Sequence, residues 1–296
     1  MTLFYPYGVD IDGTMIDGVS EQAIDTGAQE LRPDHDGAAD GRLVVIAGFD
    51  PVINITTMAV NSLLAALGAS PLYGKALDSL NPATLFCQAG TAGGARASTG
   101  ALKVVANAGI VIPLSLSAGN RTAASLQFQI VPSYDGTNAP LTVTAAQALA
   151  GTPAADEVYF AGPAKLNNTA LTSVKSVSIN FGIVLDKSDH AGYPYYSFVC
   201  VRSVRPVITI TTDQVDLAAT YHGGVAIASA THVYLRQGAA AGGRVADGTS
   251  QPKFTVNAGL IVSRAISGSP QQMAIDIVPS YNGTNAQIVY STAAIT

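Results

Sequence analysis

The chain has 296 residues, of which 48% are hydrophobic and only 12% charged, with a formal net charge of −5. A charged fraction about half of the usual ~25% leaves much of the surface to Ser, Thr, Asn, Gln, Gly and backbone, which suits permanent neighbours better than free solution. Net negative charge without a basic run excludes a tight grip on phosphate backbones, and no apolar stretch approaches the ~20 residues of a membrane-spanning helix. The first ten residues show no basic region followed by an apolar one, so the expectation is a soluble chain made in the cytoplasm, with no membrane binding.

The length suffices for two domains of ~100–200 residues, and internal self-similarity supports that division. Val19, Ile24 and Gly27 recur as Val174, Ile179 and Gly182, and Asp34-His35 as Asp189-His190, at a constant offset of 155 positions. The same offset carries Pro51-Val52-Ile53-Asn54-Ile55-Thr56-Thr57 onto Pro206-Val207-Ile208-Thr209-Ile210-Thr211-Thr212. Residues 42–57 and 196–212 read as strand pairs or bent strands, each with a proline where two segments meet. Met58 to Leu67 then has apolar residues at helical spacing, a Thr in the N-cap position and Gly68 at its end, which predicts a helix. Its counterpart starts at Thr212-Asp213-Gln214-Val215 and ends by Gly223 or Gly224, with weaker apolar content.

Further along, Asn107-Ala108-Gly109 recurs as Asn257-Ala258-Gly259, and Ile130-Val131-Pro132-Ser133-Tyr134 as Ile277-Val278-Pro279-Ser280-Tyr281. The offset has fallen to 147 by then, because the first copy has a longer central loop. Leu102 to Leu116 and Ser125 to Val131 have strand character, and Asp135-Gly136 and Asn282-Gly283 are turn signals. The expected fold is mainly β with minor α: two tandem homologous β-sandwich or barrel domains, residues 1–153 and 154–296, each flanked by one helix.

Little in the sequence carries chemistry. Cys87 and Cys200 lack metal-ligand spacing and are expected to be buried free thiols. Asp34, His35, Asp36, Asp189 and His190 are the right donors for a divalent ion. Solvated hairpin loops explain them better, since Gly37 and Gly192 follow closely and no other ligand cluster is visible. The glycines from Gly90 to Gly94 and from Gly238 to Gly243 resemble a phosphate cradle, but no Lys-Ser or Lys-Thr follows to open a helix. One carboxylate in Tyr134-Asp135-Gly136-Thr137-Asn138 is too little charge for calcium. No nucleophile elbow or Cys–His pairing is present, so no catalytic residue, metal or cofactor is assigned and the chain is not expected to be an enzyme.

The acids are lopsided. Asp10, Asp12, Asp17, Glu21, Asp25, Glu30, Asp34, Asp36, Asp40 and Asp50 precede residue 51 with only Arg32 and Arg42 against them. Beside ordinary solvation, such a distribution could line a passage for something negatively charged, which like-charge repulsion keeps from sticking.

The order of a strand, a long loop, a strand with Pro-Val-Ile-x-Ile-Thr-Thr, a helix, and strands ending in Val-Pro-Ser-Tyr-x-Gly-Thr-Asn-Ala resembles the major tail tube proteins of long-tailed bacteriophages. The resemblance covers both copies, though its motifs describe a layout and not a reaction. It implies a virion structural protein whose two tube domains per chain assemble as homotrimers into pseudo-sixfold rings. These stack into a tube that conducts DNA during ejection, with other tail proteins at the tube ends. In this reading the loops around Asp34, His35, Asp36, Asp189 and His190 reach the neighbouring ring. Asp10, Asp12, Asp17, Glu21 and Asp25 are the candidates for an acidic lumen that lets DNA pass. The alternative is a capsid decoration or cement protein, also β-rich and poor in charge. A carbohydrate-binding or receptor-binding fibre module would need an exposed aromatic platform, against which the lack of Trp counts.

Overall fold

A computed structural model describes residues 3–32, 44–91, 95–150, 157–189, 192–229, 231–239 and 242–296. The fold is mainly β with two short α-helices. In the first half the strands are β1 (Leu3–Ile11), β2 (Thr14–Ile16), β3 (Val19–Asp25), β4 (Ala28–Leu31), β5 (Val45–Phe49), β6 (Val52–Thr57), β7 (Lys75–Leu77), β8 (Ala83–Gly90), β9 (Ala101–Ala106), β10 (Gly109–Gly119), β11 (Ser125–Pro132) and β12 (Leu141–Gln147), with helix α1 (Val60–Leu67) after β6. In the second half they are β13 (Tyr159–Leu166), β14 (Thr169–Leu171), β15 (Val174–Asn180), β16 (Ile183–Asp189), β17 (Tyr196–Val204), β18 (Val207–Thr212), β19 (Val225–Ala226), β20 (Thr231–Gln237), β21 (Gln251–Val256), β22 (Gly259–Ser267), β23 (Gln272–Pro279) and β24 (Val289–Ala293), with α2 (Ala218–Tyr221) after β18.

The pairings of the two halves run in parallel. A five-stranded sheet in the order β12-β9-β8-β1-β2 is matched by one in the order β24-β21-β20-β13-β14. Against them stands one long sheet running through both halves, in the order β19-β22-β23-β18-β15-β10-β11-β6-β3, with β7 beside β10. Its inward residues alternate with polar ones at the two-residue period of a half-buried strand: Ile53 and Ile55, Leu126, Phe128 and Ile130, Ile208 and Ile210, and Met273, Ile275 and Ile277 are all buried. They form one apolar cluster with Val9, Ile11, Leu85 and Val104 from the first small sheet and Val233, Leu235, Phe254 and Val256 from the second.

Both prolines predicted to divide strands do so, Pro51 between β5 and β6 and Pro206 between β17 and β18. Helix α1 buries Val60, Leu63, Leu64 and Leu67, and Gly68 ends it by donating to the Ala65 and Leu64 carbonyls. Its start differs from expectation: Ala59 is the N-cap and makes no side-chain cap. Thr57 sits two residues earlier, where its hydroxyl accepts from the Ala59 N–H and donates to the Asp17 carbonyl, fastening the strand-to-helix corner instead. Thr212 does the same with Gln214 and Ser173. The second helix is reduced to a 3-10 turn at Val215–Leu217 followed by the four residues of α2, because only Tyr221 of α2 is buried there. Cys87 and Cys200 are free, as expected, but half-buried.

Candidate assembly edges and polar sheet face

The halves join at the middle of the long sheet. There β10 pairs antiparallel with β15, Ser115 opposite Asn180, Leu116 opposite Ile179 and Ser117 opposite Ser178. Main-chain bonds from Phe181 N–H to the Leu114 carbonyl and from Asn120 N–H to the Lys175 carbonyl extend this seam at both ends. Leu116 and Ile179 are each 1% exposed within it.

Strands corresponding to those two lie at or near the ends of the same sheet. β3 stands where β15 stands in the second half, each hydrogen-bonded to the Pro-Val-Ile strand of its own half with the same shifted register: Val19 and Glu21 oppose Thr57 and Thr56, and Val174 and Ser176 oppose Thr212 and Thr211. β22 corresponds to β10: Ile266 opposes Met273 as Leu116 opposes Leu126. β19 covers β22 only at Leu260 and Ile261, as β7 covers β10 only from Gly109 to Val111. Among the described residues, the far edge of β22 beyond this point and the outer edge of β3 have no strand neighbour. Ile266 is 48% and Ile24 is 38% exposed, where their counterparts are sealed. The seam's chemistry is thus present at the sheet's ends, without strand partners among the described residues.

The outward face of the long sheet is a polar ladder. Gln129 donates to Asn54 at 2.9 Å, the Ser115 hydroxyl to Gln127 at 3.0 Å and the Thr209 hydroxyl to Asp276 at 2.7 Å. Ser117, Ser178 and Asn180 continue it beside the seam, and Glu21, Ala23 and Asp25 stand on its exposed margin at β3. Toward the other end of β10 this face turns apolar, and the β16–β17 hairpin lies over it: Val199 is buried against Ile110, Ile112 and Val131. The hairpin's turn end is fixed by a Lys187–Asp50 ion pair, a Phe49 N–H bond to the Pro194 carbonyl, and packing of Tyr134 against Tyr193 and Tyr195.

Of the five acids expected to line a passage, only Glu21 and Asp25 lie on the long sheet. Asp10 is in the small sheet opposite Met15, Asp12 bonds Lys75 at 2.6 Å in the β1–β2 turn, and Asp17 is buried at the β2–β3 corner. The acids therefore do not come together. Asp34, His35, Asp36 and His190 lie outside the described residues, and Asp189 ends β16 opposite Tyr196. Asp135 turns its chain as expected: its carboxylate accepts the N–H groups of Thr137 and Asn138, and with the Asn138 side chain first among the causes this holds its pKa below the ordinary range. Asn282 takes the same part before Thr284 and Asn285.

One recurring feature escaped sequence reasoning. Arg96 stacks over Tyr5 at 4.0 Å and Arg244 over Phe160 at 3.6 Å, each beside a glycine, Gly90 and Gly238, where a Cβ would strike the ring. The two glycine runs that resembled a phosphate cradle thus each begin with a glycine that makes room for an aromatic. Arg244 also donates to the Asn120 carbonyl at 2.6 Å, across the seam. The signal was the repeat of aromatic, glycine and arginine in both halves, hidden because the ring and the arginine are far apart in sequence.

No helix among the described residues is long and apolar enough to cross a membrane. No family profile matches the chain, and no curated protein aligns with it.

Proposed function

We propose that the chain is a structural subunit that associates head to tail with further copies into closed rings. In this reading it is a major tail tube protein of a long-tailed phage. Residues 1–153 and 154–296 are two tube domains born of duplication, three chains supply the six domains of a ring, and stacked rings make the conduit for DNA. The observation that carries the reading is the long sheet's unlike open edges, β22 and β3, which correspond to the β10 and β15 edges already joined inside the chain. Unlike edges make a heterologous contact, which closes into a ring when its rotation divides the circle. Unpaired edges that are hazards in a monomer then become the assembly surface.

The polar ladder suits the wall of such a conduit. Amide and hydroxyl groups already bonded to one another offer a passing polyanion little to hold, and Glu21 and Asp25 repel it. The tip loops around His35 and His190 would remain for contact between rings.

Negative-stain images of the purified protein test the reading: hollow rings or tubes are expected, whereas compact knobs would favour a decoration protein. Ile266→Asp should leave the chain folded and monomeric, because it charges the β22 edge without touching the internal seam. If this variant forms rings as the parent does, the edge assignment is wrong.

A further inference from the structure

The first hairpin arm, β4–β5, is built to the register of the second. Ile46 opposes Glu30 as Val201 opposes Leu185, and Phe49 opposes Ala28 as Val204 opposes Ile183. The second arm has a seat, on β10 and β11 of the first half. Among the described residues the first arm is held at its base, where Phe49 donates to the Pro194 carbonyl and stacks on Tyr195, but its apolar face beyond that has no cover: Val44 and Ile46, which correspond to Val199 and Val201, are 55% and 52% exposed. The matching seat on β22 and β23 is bare as well. Leu260, the counterpart of Ile110, is about half exposed, and so is Tyr281, the counterpart of the Tyr134 that Tyr193 and Tyr195 cover.

The arm and the bare seat cannot serve each other in one chain. The arm follows β3 at one end of the long sheet, while the seat is at β22 and β23 toward the other. We infer that the β4–β5 arm of one copy clasps the β22–β23 face of the next, with Val44 and Ile46 on Leu260 and Val262 and with Glu30 opposite Arg264. This rests on the head-to-tail reading above and names the contact that it leaves open.

The charges support the choice of occupant. In the internal seat the partly buried Leu114 and Leu185 pack against the same small cluster. Their counterparts are Arg264 and Glu30, so two leucines that flank one cluster, one from the seat and one from the arm, have both been exchanged for opposite charges. Exchange of one alone would leave a charge against a hydrocarbon; exchange of both preserves attraction. It also makes the seam between chains differ from the one within, so that an arm does not take the wrong seat. In the free chain these side chains hold Asp276 and Arg32 at 2.8 Å and are well exposed.

The test is a charge exchange in the full chain, read as the concentration at which assemblies form by mass photometry or sedimentation. Glu30→Arg and Arg264→Glu should each raise that concentration about tenfold or more, and the double variant should restore it substantially, since each contact would again pair opposite charges. Circular dichroism checks that the variants fold. A photo-crosslinking residue at Ile46, in mixtures of isotopically heavy and light chains, gives a second measurement: heavy-to-light links to residues 260–278 are expected. Assembly of the parent chain with no charge coupling, and with links falling elsewhere or within one chain, overturns the arm contact while head-to-tail assembly stands. A parent chain that stays monomeric at high concentration overturns both.

Discussion

His232 on β20 is only 6% exposed, set edge-on to Tyr234 and near Lys253 and Lys165. Burial, with those two ammonium groups adding, pushes its imidazole pKa down from 6.5 to about 4. The folded chain holds it neutral while the unfolded chain would protonate it below its ordinary pKa, so its contribution is complete above about 6.5 and is lost as the pH falls toward about 4. At about 1.4 kcal/mol per unit the loss is on the order of 2–3 kcal/mol. Urea titrations at pH 7 and pH 4.5 should show that difference, and His232→Thr, which takes the residue of its counterpart Thr84, should flatten it. An unchanged slope in the variant would assign the acid sensitivity to other groups.

Gly27 and Gly182 are the pivots at which β3 and β15 turn into the arms. Both have positive φ, 56° and 57°, and a Cβ at Gly182 would lie 2.1 Å from the Arg205 carbonyl oxygen. Gly182→Ala should therefore destabilise by about 2–4 kcal/mol, through backbone strain and displacement of β17. At Gly223 a Cβ meets nothing within 4 Å, and alanine there should shift stability by less than about 0.5 kcal/mol. Thermal melts of the two variants check the contrast.

At the scale of elements, much was legible because burial on one face writes a two-residue period into a strand. Ile53, Ile55 and Thr57 face inward on β6, and Ile208, Ile210 and Thr212 repeat them on β18. Turn chemistry was equally plain, since Asp135 and Asn282 fold their own backbone. The helix cap was misplaced by two residues because the hydroxyl of Thr57 satisfies a corner rather than a helix end, and sequence spacing alone does not separate these uses. Contacts between distant segments were not legible at all. Nothing local marks β10 and β15 as partners, or says that Val199 covers Ile110, or that of the acids proposed for a lumen Asp10, Asp12 and Asp17 belong to a small-sheet strand, a turn and a buried corner while Glu21 and Asp25 stand on the long sheet.

For the whole molecule, the electrostatic proposal narrows to the margin of the long sheet. Glu21→Lys with Asp25→Lys would put two cations beside the polar ladder, where they could hold a passing polyanion. In the proposed virion setting, DNA release from particles carrying both substitutions should be slower than from the parent, and more so at low salt. Lysine in place of Asp12 should not reproduce this, because that site lies in a turn away from the ladder. Equal release rates for all three would remove the role assigned to the sheet margin.

The uninterrupted hydrogen bonding from β10 into β15 also bears on what the chain can survive. Cutting between residues 150 and 157 and expressing the pieces separately would strip the cover from Leu116, Ala118, Val177 and Ile179, which are all sealed at present. Each fragment would then present a raw apolar border ready to recruit any passing strand, so precipitation is the natural fate of either piece alone. In the intact protein the same continuity predicts a single calorimetric transition rather than two, because neither part can melt without unzipping the other.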